Sequence, residues 1–559
     1  MKNRDSKVVT KGLDTGLDCV TPTYHPKQAK KQAPCQAGCL NCGDIRSWIG
    51  IVAQRKKAGI SRQEAFTRAW QIIADVNPFP STLGRICPHP CESHCNRSEL
   101  DEPLAINALE RFLGDWAVTN NLPLPRLQDD SADEWIGVIG AGPSGLSFAY
   151  QLARRGYRVT VYDAKSRAGG MLRYGVPNYR LPPPILDAEI ARILALGVEL
   201  KLDTLIGRDI TLDELRKRHA TLYLGLGAHQ GRRLNLAGGD GPSVWTGIDY
   251  LAKVNHGEQL ELGSNVVIVG GGNTAIDVAR TARRTGADVT VLYRRSRLEM
   301  TAIQSEVEEM LEEGVKLILL ATPVRLERDD DGNPENLVAS RTALGELDSS
   351  GRRRPQIVGN SEFSLPVSSL ITAVSKTPAL KGFEALQNDK GWLQTDSHGI
   401  LDENILAGGD TLSIGFAGNA IVQGRTAAEA LHARLRGIQG ADLPGVTEAS
   451  IGPQQIKFDS KPHSTAARPA RLEGDERIVK GEAEVVGTIS EAQFLREVER
   501  CFSCGSCMGC GQCSMFCTLA CHTKLKEVGP GMYFTLTLDA CKECGKCIEV
   551  CPCGFLDAS

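Results

Sequence analysis

Cysteine is missing from the whole middle of this chain. None of its 19 cysteines stands between Cys95 and Cys501; seven lie from Cys19 to Cys95 and twelve from Cys501 to Cys553. A secreted disulfide framework staples its main domain and does not crowd both ends, so this distribution argues against one. Metal clusters held by thiolates in a reducing compartment explain it, and a cytoplasmic location is expected. No apolar run reaches the ~18 residues of a membrane span. Met1 to Gln32 is polar and basic without an apolar centre, so no signal peptide is expected. Neither sign of charge dominates, with 64 basic and 67 acidic residues and a formal net charge of -3. Nucleic acid and lipid surfaces are therefore not expected partners. At 559 residues the chain holds several domains.

What is present is organised around Trp135 to Asp163. An apolar run ends in Gly140-Ala-Gly142-Pro143-Ser144-Gly145, a helix-periodic segment follows, and a β-branched run ends at Asp163. This order of strand, glycine turn, helix, strand and acid is a dinucleotide fingerprint. The glycines allow the tight turn and a close approach of the pyrophosphate, and the acid accepts from a ribose hydroxyl. A glycine-rich loop, Arg167 to Leu181, contains Gly170, Met171, Leu172 and Arg173; an ordinary surface loop is its other reading. The strand Thr221–Ala228 ends in Gly225-Leu-Gly227, where backbone can lie against a ligand.

A second unit starts at Asn265 and carries Gly270-Gly271-Gly272-Asn273-Thr274. Tyr293 stands where the first unit has its acid, and Arg294, Arg295 and Arg297 follow. Arginines accommodate a 2′-phosphate, which favours NADP(H), with NAD(H) still possible. A solvated basic strand end is the alternative. Further on, Ile405 to Asp410 reads as a strand ending in Gly409-Asp410, before an alanine-rich helix. Such an aspartate can meet a flavin's ribityl chain while the helix N-terminus faces the pyrophosphate. That piece follows the second unit yet completes the first, so one unit is expected to be inserted in the other.

The ends of the chain carry the cysteines. Cys507-x2-Cys510-x2-Cys513-x3-Cys517 and Cys541-x2-Cys544-x2-Cys547-x3-Cys551-Pro552 have the two-cluster ferredoxin spacing, in which each fourth cysteine ligates the other cluster. Cys501, Cys504, Cys521 and Cys553 are spare, as buried thiols or a further metal site. Near the start, Cys35-x3-Cys39-x2-Cys42 and Cys87-x3-Cys91-x3-Cys95 flank two amphipathic segments, Arg46–Lys57 and Ser61–Ala74, the latter opening with a Ser61/Glu64 capping box. More than four ligands fit zinc poorly.

From Cys35 to about Leu435 the chain resembles the small (β) subunit of glutamate synthase and the reductase half of dihydropyrimidine dehydrogenase. The resemblance rests on Gly84-Arg-Ile-Cys87-Pro, Gly140-Ala-Gly-Pro-Ser-Gly145, Gly169-Gly-Met-Leu-Arg-Tyr-Gly-Val-Pro177, Gly270-Gly-Gly-Asn-Thr-Ala275, Tyr293-Arg-Arg and Ala407-Gly-Gly-Asp410. It implies FAD in the first unit, NAD(P)H in the second and N-terminal [4Fe–4S] clusters, one or two in number. The family's upstream Cys-x2-Cys is missing here; only Cys19 lies upstream, and Cys42 is extra. A glutamate of the family that ligates one cluster corresponds to Glu110, whose other reading is a solvated helix carboxylate. The implied sets are Cys39, Cys87, Cys91 and Glu110 for one cluster, and Cys19, Cys35, Cys42 and Cys95 for the other.

With clusters at both ends, the chain looks most like the iron–sulfur flavoprotein of the dissimilatory sulfite reductase system; reductase subunits of 2-oxoacid:ferredoxin oxidoreductases are also similar. The expected protein is a multidomain α/β chain. Residues 1–130 form a helical cluster domain, 131–262 with 395–440 an FAD domain, 263–394 an NAD(P)H domain, 441–500 a linker or wrapping arm, and 501–559 a ferredoxin-like domain. Both nucleotide units are Rossmann-like. Its expected activity is NAD(P)H:acceptor electron transfer to or from a partner redox complex, such as dissimilatory sulfite reductase. A non-catalytic electron-transfer subunit is the rival reading, and homo-oligomerisation stays open.

Overall fold

The computed structural model describes residues 25–28, 31–438 and 450–558. Two mainly parallel sheets carry the two glycine turns. The first has six strands in the order Ile400–Asp402, Ile405–Ala407, Thr221–Leu224, Trp135–Ile139, Arg158–Tyr162 and Glu199–Lys201. Ile136, Val138, Val159, Val161, Leu222 and Leu406 on its strands are buried. Such unbroken apolar strands are those of a parallel sheet covered on both faces. Ile405–Ala407, far along the chain, pairs in parallel with Thr221–Leu224. The helix Ala417–Arg436 then packs against Pro143–Ala153, the helix of the first glycine turn.

The second sheet runs Lys316–Leu319, Asp288–Tyr293, Asn265–Val269, Ser369–Thr372 and Val244–Thr246, all parallel. A three-stranded antiparallel sheet, Ala321–Arg328, Pro334–Leu347 and Arg353–Pro366, stands beside it. The short pair Gln230–Gly231 and Lys376–Thr377 joins the outgoing and returning chain between the two units.

Two expected boundaries move. The second unit begins before residue 263, because Val244 already pairs with Leu370 and the helix Gly247–Asn255 buries Tyr250 and Leu251 in the second core. The return comes before residue 395, because Leu380, Phe383 and Leu393 pack with Ile139 and Tyr162 of the first core. A three-residue strand has too few positions to show a period, so neither edge was visible as a pattern.

The N-terminal region is helical: Ile45–Ala53, Arg55–Ala58, Arg62–Val76, Pro80–Ile86 and Ile106–Thr119. Ser61 caps as expected, accepting from the Glu64 N–H, but the Glu64 carboxylate goes to Arg68 at 2.6 Å, so the box is half made. Residues 450–500 form a wrapping arm. The helix Glu491–Glu499 drives Phe494 into the N-terminal core, where its ring stacks on Phe112 with centroids 4.3 Å apart. The last strand, Leu556–Ala558, pairs antiparallel with Pro26–Gln28, and Lys31 meets Asp557 at 2.7 Å. Among the described residues no helix is long and apolar enough to cross a membrane.

Candidate functional site: a nucleotide cleft and clustered thiols

A cleft of about 1010 Å³ lies between the two units and is lined by both glycine turns. From the first unit it takes Gly142, Pro143, Ser144, Gly170, Met171, Leu172, Gly227, Gly409 and Asp410; from the second, Gly270, Gly272, Asn273, Thr274, Arg294 and Arg295. Gly142 is the N-cap of Pro143–Ala153, so free helix N–H groups point into the cleft. Opposite it, a Cβ on Gly170 would stand 2.8 Å from the Gly142 Cα, and Gly170 has φ 53°. A backbone-walled floor at a helix N-terminus suits a pyrophosphate. Gly415, Phe416 and Ala417, where the long helix begins, close the same end. These features fit FAD in the first unit and a nicotinamide dinucleotide in the second.

Other expected residues act behind the cleft wall. Gly140 shapes the turn: its φ is 105°, and a Cβ there would lie 2.2 Å from the Gly225 carbonyl. Gly145 lets its helix meet that turn, 2.0 Å being left between a Cβ and the Gly140 carbonyl. Asp163 accepts from the Ala141 N–H at 2.7 Å and the Lys165 N–H at 2.8 Å, bracing the glycine loop. Burial pushes its carboxyl up. Arg173 was expected at the cofactor, but its guanidinium turns away to Asp187 and the Ala168 carbonyl.

The arginine trio separates. Arg295 is buried, held by Asp348 at 2.7 Å and the Arg353 carbonyl at 2.6 Å. Arg297 lies outside the cleft lining and reaches Glu308 at 3.2 Å. Arg294 lines the cleft, joined there by Arg352 from the loop between two strands of the antiparallel sheet. Arg352 was not anticipated, because in sequence Arg352-Arg353-Arg354 reads as a charged turn. Lys376 and His229 were also missed. Lys376 pairs with Asp410 at 2.6 Å, and Asp410 accepts from the Gly415 N–H at 3.1 Å. Burial, aided by Lys376 and Lys165, pushes the His229 imidazole down to about 4, so it stays neutral near pH 7.

At the N-terminal end the thiols gather. Cys39, Cys87, Cys91 and Glu110 line one small cavity, and the Glu110 charge bears on all three thiols. Burial, then Glu110, pushes the Cys87 thiol up to about 12. Burial pushes Glu110 up to about 7, opposed by Asn77, whose amide donates to it at 2.8 Å. Four acids crowded into one cavity, Cys91 buried and the others half-buried, repel one another once ionised and are a site for a shared cationic centre. The other implied set does not assemble. Cys35 and Cys95 lie together, but Cys42, in a left-handed turn at φ 51°, bears on Cys39 instead without lining that cavity, and Cys19 lies outside the described residues.

At the C-terminal end Cys507, Cys510, Cys513 and Cys551 line one cavity, so the fourth cysteine of the second run joins the first three of the first. Cys517 in turn bears on Cys547, beside Cys544, and on Cys521, which neighbours Cys541. Among the described residues no three His, Cys, Asp or Glu side chains converge on a single metal ion. Thiols spread round a cubane's corners do not converge on one point, as the ligands of tetrahedral zinc do.

Residues 135–424 match the family model of the pyridine nucleotide-disulphide oxidoreductases, and residues 27–122 match that of dihydropyrimidine dehydrogenase domain II, 4Fe-4S cluster. The chain is 38% identical over 357 residues to the NADPH-Fe(3+) oxidoreductase subunit beta of Geobacter sulfurreducens, across 63% of this chain and 52% of that protein. It thus spans about half the length of that relative. It is 34% identical to the NADP(+)-dependent formate dehydrogenase subunit beta of Moorella thermoacetica, across 88% of this chain and 73% of that one. With the small chain of NADPH glutamate synthase from Azospirillum brasilense it shares 32% identity over 71% of its own length and 86% of the relative's.

Proposed function

The chain belongs to the pyridine nucleotide-disulphide oxidoreductase family, in the group that includes the glutamate synthase small chain, and from that premise we propose that it is an NADPH:acceptor oxidoreductase serving a partner redox complex. The observation that carries this reading is one cleft lined by both glycine turns, each of which would hold one dinucleotide. FAD, when bound, takes a hydride and gives up single electrons, and iron–sulfur clusters carry them one at a time.

This chain's own residues place and tune that chemistry. The Gly142 and Gly170 backbones would leave room for the flavin pyrophosphate, and Asp410, paired with Lys376, would hold the ribityl chain. Arg294 and Arg352, both lining the cleft, would hold the 2′-phosphate of NADPH. His229, neutral beside Lys376, adds no second charge at the floor of the cleft. The thiol groups would hold the clusters that pass electrons on toward the acceptor. Gly418, one residue inside the long helix, lines the Cys39/Glu110 cavity, while Gly415 to Ala417 line the cleft. The ferredoxin segment meets the N-terminal helices where Lys57 donates to the Met508 carbonyl at 2.8 Å.

For the partner we propose a dissimilatory sulfite reductase-type complex, on the resemblance of a chain with clusters at both ends. A formate dehydrogenase-like partner is the second reading, supported by the Moorella relative over 88% of the chain. Capture of the intact chain from native cells decides between them. Anaerobic NADPH oxidation with an artificial dye tests the activity itself. No turnover by flavin-loaded protein would leave a non-catalytic electron-transfer subunit.

A further inference from the structure

The arm brings two more cysteines to the N-terminal thiols. Phe494, stacked on Phe112, fixes the helix Glu491–Glu499, and Cys501 comes two residues after its end. Arg500 is buried and bonded to Asp101 at 2.9 Å and the Glu102 carbonyl at 2.7 Å, both next to the Cys95 segment. Arg46 closes the other side, donating to the Lys31 carbonyl at 2.7 Å and the Cys504 carbonyl at 2.9 Å. Asn96, adjacent to Cys95, has its amide 3.6 Å from the Cys504 sulfur. These ties draw Cys35, Cys95, Cys501 and Cys504 into one half-buried group in which every pair lies within electrostatic reach.

The local backbone at Cys501 is that of the expected ligands. The Ser503 N–H points at the Cys501 sulfur at 3.3 Å, and Ser503 has φ 53°. His89 does the same to Cys87 at 3.4 Å with φ 42°, and Glu543 to Cys541 at 3.5 Å with φ 57°. A left-handed residue two places after the cysteine turns an amide onto the sulfur. Such hydrogen bonds favour the thiolate and tune a cluster's potential.

We propose that Cys35, Cys95, Cys501 and Cys504 hold a [4Fe–4S] cluster, the arm supplying from the far end of the chain the Cys-x2-Cys pair that the N-terminal region lacks. Cys19 and Cys42 are then not ligands. Cys35 and Cys39, like Cys91 and Cys95, each divide between this group and the Cys39/Glu110 group, which sets the two side by side. The chain then holds four clusters, and the N-terminal domain cannot complete its pair without the arm. The inference rests on the iron–sulfur reading of this domain but not on the identity of the acceptor.

Iron analysis and EPR on the full chain, purified anaerobically, test it. The wild type should carry about 16 iron atoms, and Cys501→Ala/Cys504→Ala about 4 fewer, one reduced-cluster signal being lost. Flavin content and the other signals should stay, and Cys19→Ala/Cys42→Ala should match the wild type. If the alanine pair fails to fold, as shown by lost flavin, Cys504→Ser serves instead: an oxygen ligand should shift the g-values of one signal only. Full iron in the Cys501/Cys504 pair, iron loss in the Cys19/Cys42 pair, or an unshifted serine spectrum overturns the proposal. So does a wild-type content of about 12 iron atoms. NADPH bleaching of the flavin, measured on the same samples, reports on the oxidoreductase reading separately.

Discussion

Arg295 donates to Asp348 at 2.7 Å, while Arg294, its neighbour in the chain, lines the cleft. Both residues border the cleft, but the Arg295 guanidinium is taken up by Asp348 and the Arg353 carbonyl. Only Arg294, with Arg352, is left to hold a 2′-phosphate. A hydrogen bond between charged groups is worth about 1.5–3 kcal/mol, so Arg294→Ala should raise the KM for NADPH roughly tenfold or more. The KM for NADH should hardly move. Arg352→Ala should act in the same direction, whereas Arg295→Ala should lower thermal stability by stranding Asp348. Equal effects of Arg294→Ala on both nucleotides would remove the assignment.

The flavin should be bound without a covalent link, because the cleft lining contains no cysteine and its histidine, His229, is held in the floor beside Gly227. Acid precipitation should release a yellow supernatant. Asp410→Ala should cut the flavin content of purified protein, since Asp410 fixes both Lys376 and the Gly415 N–H at the start of the long helix. A pellet that keeps its flavin, or full occupancy in the variant, contradicts this.

Acid should weaken the fold through His219. Its ring is buried against Trp135 and its Nε2 lies 3.0 Å from the Tyr162 hydroxyl. Burial, then Lys201 and Arg218, push it down to about 4. The unfolded chain takes up a proton near pH 6.5 that the folded chain refuses until about pH 4. Its stabilising contribution is therefore complete above about pH 6.5 and is lost as pH falls toward 4. The thermal midpoint should drop across that window, and His219→Phe should flatten the drop. An identical slope in the variant would place the acid sensitivity elsewhere.

The glycine turns, their strands and the ferredoxin spacing were legible because each is a local pattern with a fixed period. Val244–Thr246 and Lys376–Thr377 were not, being too short to show one. Arg173 and Arg295 read as ligand cations because sequence gives charge but not direction; the structure turns both into ion pairs. Cys501 and Cys504 looked spare for another reason. Their partners, Cys35 and Cys95, are hundreds of positions away, and only the packing of Phe494 on Phe112 brings them together. Glu110 was reached through a resemblance, and the structure sets it in one cavity with Cys39, Cys87 and Cys91.

That environment yields the last prediction. Glu110 sits on the helix Ile106–Thr119, half-buried beside Cys39, Cys87 and Cys91 in a cavity that also touches Gly418 at the start of the flavin-side helix. Of the thiol groups it is thus the one set against the cleft. Burial pushes the carboxyl up to about 7, and the Asn77 amide at 2.8 Å supplies one hydrogen bond. An ionised carboxylate half-buried with three thiolates has no countercharge of its own, which is costly unless a metal centre shares it. Carboxylate is a harder ligand than thiolate, so it should set the potential and g-values of the cluster it completes. Glu110→Gln keeps the shape and a bond to Asn77 but removes the charge. The variant should show one altered EPR signal and slower transfer to an external acceptor, with the rate of flavin reduction by NADPH unchanged. Glu110→Asp, shorter by one methylene, should give an intermediate spectrum. A wild-type spectrum with full iron in Glu110→Gln would make Glu110 a half-buried helix carboxyl held by Asn77 alone.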